Sequence, residues 1–214
     1  MARRRYPGCV AREGPARLRP LEEVVALPRR SPLAGELARA LTAASSLHGL
    51  RSDLAAVPVR ATSTTSEAGA YRFRKRDPID IRVSARSGRV AIGFLHELGH
   101  LVDHQLGYDP RNRIWASAIR PAFAAWRAAA ATLAGRPFPG GRSRRRYFES
   151  AHEVWARCYA QTAVLRSRDQ GLVDQLETVF DGPQEAVRRG KRLGVVAAHI
   201  AGVGEFRERG QRRG

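Results

Sequence analysis

Cysteine, lysine and long apolar runs are all scarce in this chain, and each scarcity removes a class of protein. Its two cysteines are Cys9, in a basic N-terminal stretch, and Cys158, inside a helical pattern. Two such differently placed thiols do not make a disulfide framework, so a reducing cytosol is the simpler setting. They also exclude a cluster of thiolates around a metal, which leaves imidazole and carboxylate as the side chains able to hold one. Nowhere do 18 uninterrupted apolar residues occur, and the opening MARRRYPGCVARE carries positive charge without an apolar run behind it. Neither a secretion signal nor a membrane span is expected, and the expected location is cytoplasmic. Lysine is limited to Lys75 and Lys191, so the net charge of +18 is carried by arginine. Arginine in place of lysine fits the codon usage of a GC-rich genome. The excess over Asp and Glu nevertheless predicts attraction to polyanions or acidic protein surfaces, although such charge is more often a solvated surface than a specific nucleic-acid site.

With 214 residues and a hydrophobic fraction of 43%, the chain is large enough for one well-buried core. The expected organisation is a basic flexible arm over residues 1–32, one domain over 33–204 and a basic tail over 205–214. Within the arm, LEEVVAL between Pro20 and Pro28 is a short apolar stretch that can dock locally. Ser31 or Pro32 opens a helix through LAGELARALTAASSL that stops near His48-Gly49. Three β-favouring runs follow, VPVRATS, AYRFRK and IDIRVSA, separated by the turn formers TSEAG and RDP. They predict a small antiparallel sheet, in which Ile79, Ile81 and Val83 face a core while Asp80 and Arg82 face away. After Gly107 comes an alanine-rich helical stretch with Pro121 either kinking it or separating two helices. Trp115, Phe123 and Trp126 read as its core contacts. The loop GRPFPGGRSRRR then forms the most basic short segment, either a solvated connection or a rim that selects acidic substrates. Further helical patterns and a basic tail complete an α+β chain without internal repeats.

The chemistry is concentrated in VAIGFLHELGHLVDHQL, Val90 to Leu106. Phe94, Leu95, Leu98, Leu101, Val102 and Leu106 gather on one arc of a helical wheel, and His96, His100 and Asp103 fall on the opposite arc. His96-Glu97-Leu98-Gly99-His100 is an HExxH sequence, in which two imidazoles one helical turn apart can meet one metal ion with the Glu97 carboxylate beside it. A strand and a turn at Ser87-Gly88 precede it, an order common in zinc peptidases, where the strand edge hydrogen-bonds an extended substrate.

A catalytic zinc needs three protein ligands and one open position. His104 continues the spacing of four, but on a straight helix it lies ~12 Å along the axis from His96, beyond the reach of one ion. The pattern HExxHxxGxxH does not apply either, because Asp103 occupies the glycine position and Leu106 the third-histidine position. His104 is expected on the helix surface or at a rim, and His48 at a helix end. A later helix offers Glu149, His152 and Glu153. For Glu153 there is a competing role, since Ser150-Ala151-His152-Glu153 is also S-x-x-E, a capping box.

The combination of HELGHLVD with a later tyrosine and ESAHEVWARCYA resembles the gluzincin-type zinc peptidase domains related to anthrax lethal factor, a group that includes small phage and bacterial proteins. The similarity covers about Ile79 to Val164 and rests almost wholly on the two motifs. It implies a zincin-like fold, zinc held by His96, His100 and Glu153, Glu97 as general base, and a peptide or protein substrate. Tyr147, six residues before Glu153, lies one position away from where those domains carry an active-site tyrosine, and it is the candidate oxyanion donor. Arg157 stands where the family often has an acidic residue. A different class remains open from the charge alone: a DNA- or virion-associated basic protein whose metal site is structural or vestigial. An intact Glu97 argues against it, because a structural site has no use for a general base.

Overall fold

The structure, a computed structural model, describes residues 18–64, 67–131 and 146–179. Most of the arm, nearly all of the basic loop before Arg146, the helical pattern beyond residue 180 and the tail lie outside the described residues. The chain is mixed α+β. In order, it runs β1 (Leu18–Arg19), α1 (Leu21–Val24), β2 (Val25–Ala26), α2 (Ala34–Ser45), β3 (Leu50–Arg51), β4 (Val57–Thr62), β5 (Gly69–Arg74) and β6 (Asp77–Ser84). Helices follow: α3 (Val90–Gln105), α4 (Ala116–Ile119), a 3-10 turn (Pro121–Phe123), α5 (Ala124–Ala131), α6 (Ala151–Ser167) and α7 (Gln170–Val179). Pro121 thus separates two helices, its fixed φ and missing N–H suiting the first position of the 3-10 turn.

Antiparallel pairing holds for the β5–β6 hairpin and for the small β1–β3 pair. The four-stranded sheet as a whole is mixed, with the order β2-β4-β6-β5, because β4 runs parallel to β6 and β2 parallel to β4. The chain between β4 and β5 skips one strand position. The hairpin, turned at Lys75 with φ of 54°, folds β6 into that gap. Strand β5 is therefore left at an edge, beside α3.

Helices α2, α3 and α6 pack together, with α3 over β5 and β6, and the core fills the space between. Val57, Val59, Ile81 and Val83 meet Leu37, Leu41, Phe94, Leu95, Leu98 and Tyr159 there, all nearly or fully buried. The described part of the expected arm is built into this core: Leu21, Val24 and Val25 are buried, and β2 extends the sheet. LEEVVAL docks because its apolar residues cover an otherwise open end of sheet and helix α2.

The expected alternation in β6 fails at Ile79, which is 44% exposed. Arg72 pairs with Asp80 and Phe73 with Pro78, so Ile79 is the extra residue of a bulge and leaves the inward row. Asp80, expected on the polar face, does lie there but is buried beneath three arginines. Arg72 donates to both its oxygens at 2.6 Å, and Arg60 and Arg82 approach to 3.2 and 3.7 Å. These guanidiniums hold its carboxyl below the usual range, Arg72 most strongly, against the opposing effect of burial.

Candidate metal centre

Helix α3 is enclosed on both arcs. Its apolar arc faces the sheet and α2, as the wheel predicts, while α6 and α4 close over the polar one, so that His100 and Asp103 are buried and His96 keeps the more open position. Two long-range contacts fix the helix. The first-turn N–H of Ala91 donates to Glu36 of α2 at 3.0 Å, in place of a local cap. Asp103, fully buried, accepts from the Ser117 N–H at 2.7 Å and the Ser117 hydroxyl at 2.6 Å, tying α3 to α4.

Burial pushes the Asp103 carboxyl up to about 6, with the Ser117 hydrogen bonds opposing it. Folded Asp103 consequently holds its proton more tightly than the unfolded residue at about 3.9. Its contribution to stability is full below about pH 4 and is lost as pH rises through about 6. Asp103→Asn should flatten that slope in urea titrations run from pH 4 to 7. Asp103→Ala, which strands the Ser117 donors, should cost about 1–3 kcal/mol; an unchanged unfolding midpoint would show that the tie carries no stability.

Gly99, inside the HExxH sequence, sets how closely α6 approaches. A Cβ there would sit 3.0 Å from the Ala156 Cα and 3.2 Å from the Tyr159 Cβ, and the Gly99 carbonyl accepts from Trp155 Nε1 at 3.1 Å. This close crossing delivers Glu153 to the two histidines. Its carboxylate oxygens lie 3.4 Å from His96 Nε2 and 3.3 Å from His100 Nε2. One ligand atom from each of the three residues falls within 4.8 Å of the others. Two ligand atoms at tetrahedral angles, each ~2.0–2.1 Å from a zinc ion, stand about 3.3 Å apart. Two imidazoles and a carboxylate at this spacing fit a divalent ion, and the cluster can hold a metal.

The competing role of Glu153 is absent. Ser150 is the N-cap residue of α6 but makes no side-chain cap bond, and its hydroxyl donates to the Tyr147 carbonyl at 2.7 Å. Glu153 turns inward, 4% exposed. Burial alone would raise its pKa; hydrogen bonds from His100, His96 and Tyr147 overcome this and hold it far below the carboxylate range. Glu149, the second candidate, is exposed at the entry to the helix. His152 lies 3.9 Å from a Glu153 oxygen but is stacked on Trp115, with centroids 5.1 Å apart and planes at 11°.

Glu97 stands beside the cluster without joining it. Its Oε2 accepts from the Tyr71 N–H of edge strand β5 at 2.7 Å. Gly69, two residues earlier, gives it room, since a Cβ there would be 2.8 Å from the Glu97 Cγ. Burial raises the Glu97 pKa, against the opposing pull of His96 and His100. Tyr147 is also brought to the site. Burial, together with Glu153 and the charge of Glu97 beside it, pushes the Tyr147 pKa up.

His104 corrects the expectation of a surface or rim residue, being 3% exposed. Its Nε2 donates to the Lys75 carbonyl at 2.9 Å, which leaves Nδ1 to accept from the Tyr71 hydroxyl at 3.0 Å. It belongs to an aromatic group with Phe73, Tyr108 and Trp115. His48 bonds the buried Tyr159 hydroxyl at 2.9 Å and is not part of the cluster. Phe123 and Trp126 are core, as expected, whereas Trp115 is half-buried and borders the site, its ring 5.4 Å from His100. Cys158 is a buried thiol pushed up to about 11 by burial, which suits packing and not reactivity. Sequence reasoning missed Gly69, Tyr71 and Trp115 at the site. Tyr71 acts there through its backbone N–H, for which no side-chain pattern exists.

No protein-family model, curated protein or solved structure matches this chain. Among the described residues no helix is long and apolar enough to cross a membrane.

Proposed function

We propose that this chain is a zinc-dependent peptidase with a zincin-like arrangement, in which His96, His100 and Glu153 hold the ion and Glu97 is the general base. The observation that carries the reading is the division of labour between two buried carboxylates. Glu153 converges with the imidazoles, while Glu97, next to one of them in sequence, is kept apart by the β5 edge. A structural site would have no need of the second carboxylate.

Zinc, when bound, polarises a carbonyl and lowers the pKa of a coordinated water toward about 7. Glu97 accepts the proton of the attacking water and passes it to the departing amine, a role suited to a carboxylate whose pKa burial has raised. Tyr147, 54% exposed, would donate a hydrogen bond to negative charge that develops on the substrate oxygen, giving up its interaction with Glu153 to do so. The half-buried side of His96 and the β5 edge are where a peptide would lie.

Purified protein should contain about one zinc per chain, and His96→Ala or His100→Ala should abolish this, because two remaining ligands do not hold catalytic zinc tightly. Elemental analysis decides it. Full occupancy in both variants would remove the site assignment, and a metal-loaded protein that cleaves no peptide would return the chain to the class of basic proteins with a structural ion.

A further inference from the structure

His104 follows Glu97 by two helical turns on α3, so the two side chains leave the same side of the helix ~10.5 Å apart along its axis. Strand β5 is tied to the helix at both points through one residue. The Tyr71 N–H donates to Glu97 Oε2 at 2.7 Å, and the Tyr71 hydroxyl lies 3.0 Å from His104 Nδ1. The direction of the second bond is set from the other side of the ring. His104 Nε2 stands 2.9 Å from the carbonyl of Lys75, the hairpin residue with φ of 54°. A carbonyl only accepts, so Nε2 carries the ring hydrogen and Nδ1 is left as an acceptor. Gln105 Nε2 lies 3.0 Å from the same Nδ1 and is hydrogen-bonded to the Tyr71 hydroxyl. The amide donates to the hydroxyl, and the hydroxyl gives its own hydrogen to Nδ1.

The ladder alone holds Tyr71 loosely. Strand β5 has a sheet neighbour on one side only, and its register with β6 shifts between Arg72 and Phe73, directly after Tyr71. Clearance over Glu97 is small, since a Cβ on Gly69 would stand 2.8 Å from the Glu97 Cγ and 3.2 Å from Oε1. A shift of the strand is therefore a shift of the carboxylate. Packing does not account for an imidazole at position 104. Phe73, with its centroid 4.4 Å away, Tyr108 and Trp115 surround the ring, and a hydrocarbon ring would make those contacts without burying two nitrogens.

We propose that His104 is a positioning residue for Glu97: by accepting the Tyr71 hydroxyl it fixes the edge strand whose Tyr71 N–H holds the carboxylate beside the metal cluster. The inference rests on the reading of Glu97 as general base. It adds a residue that touches neither metal nor substrate and acts through Tyr71.

The test uses the full zinc-loaded chain and two readouts. The first is hydrogen exchange at the Tyr71 amide. His104→Gln places an amide N–H near the Nε2 position and loses the acceptor for Tyr71, whereas His104→Asn places an amide oxygen near the Nδ1 position and keeps it. Tyr71→Phe removes the same bond from the other end and keeps the ring, so it serves if the Gln variant fails to fold. In His104→Gln and Tyr71→Phe the Tyr71 amide should exchange at least about fivefold faster, the population change expected from one lost hydrogen bond. Amides of β6 should stay at their wild-type rates. The second readout is hydrolysis of a quenched fluorogenic peptide, the one that the wild type cleaves fastest from a mixed-sequence library. The same two variants should lose about 10- to 100-fold in kcat, the range expected when a reacting group is displaced by up to ~1 Å, with KM and zinc content unchanged. His104→Asn should recover most of both losses. Unchanged Tyr71 exchange, equal acceleration throughout β6, an unchanged kcat, or equal losses in the Asn and Gln variants would each overturn the inference and leave the peptidase reading standing. A zinc-loaded wild type that cleaves no peptide of the library would overturn the peptidase reading, and the inference with it.

Discussion

Glu97→Gln is expected to keep its metal and lose hydrolysis by a factor on the order of 100 to 10,000, the usual share of a general base. The substitution is informative because the surroundings of Glu97 do not require a charge to hold it in place. The Tyr71 N–H that donates to Oε2 at 2.7 Å can donate equally to an amide oxygen, and the space over Gly69 accepts a group of the same size. What the amide cannot do is take up a proton from water. Peptide turnover and zinc content are measured on the same preparation. Equal turnover by the two forms would show that Glu97 is not the base; loss of zinc together with turnover would show that it belongs to the ligand set.

Glu153→Ala should weaken zinc binding by more than about 100-fold, whereas Glu149→Ala should leave it near the wild-type value. The lower bound follows from outer-shell partners, which alone are worth roughly 10–100-fold, so a direct ligand must exceed it. Glu153 approaches both imidazoles, and Glu149 is exposed at the helix entry. Both residues stand near the start of α6, so each change perturbs the same turn and the pair controls for it. A lost cap would instead cost only about 0.5–2 kcal/mol of folding stability and leave the metal in place. Zinc titration against a competing chelator, with thermal melting recorded in parallel, separates these outcomes. Wild-type affinity in Glu153→Ala with loss in Glu149→Ala would shift the ligand by one turn, and unchanged affinity in both would end the three-ligand assignment.

Much of the site follows from local pattern. The apolar arc of α3 and the spacing of His96 and His100 are properties of a single helix, and periodicity in one segment is enough to read them. The position of Asp80 on the polar face of β6 is local in the same sense, though its burial under Arg60, Arg72 and Arg82 is not, since each of those residues comes from a different point along the sheet. Ile79 shows the limit within one strand. Alternation predicts it buried, and a bulge defined only by pairing with β5 turns it out. His104 shows the same for a helix, because the aromatic group that buries it comes from β5 and from the chain beyond α3.

By itself, the sequence determined the mixed α+β class, the amphipathic α3, its two histidines and the carboxylate between them, since each depends on residues within a turn or a strand of one another. Only the tertiary structure decided that Glu153 faces those histidines instead of capping its own helix. The reason is a contact between distant segments, Gly99 admitting Ala156, whose energy appears in neither helix alone. The same holds for the edge position of β5, which follows from β6 filling the gap beside β4, and so for the backbone N–H that holds Glu97 apart from the cluster of His96, His100 and Glu153.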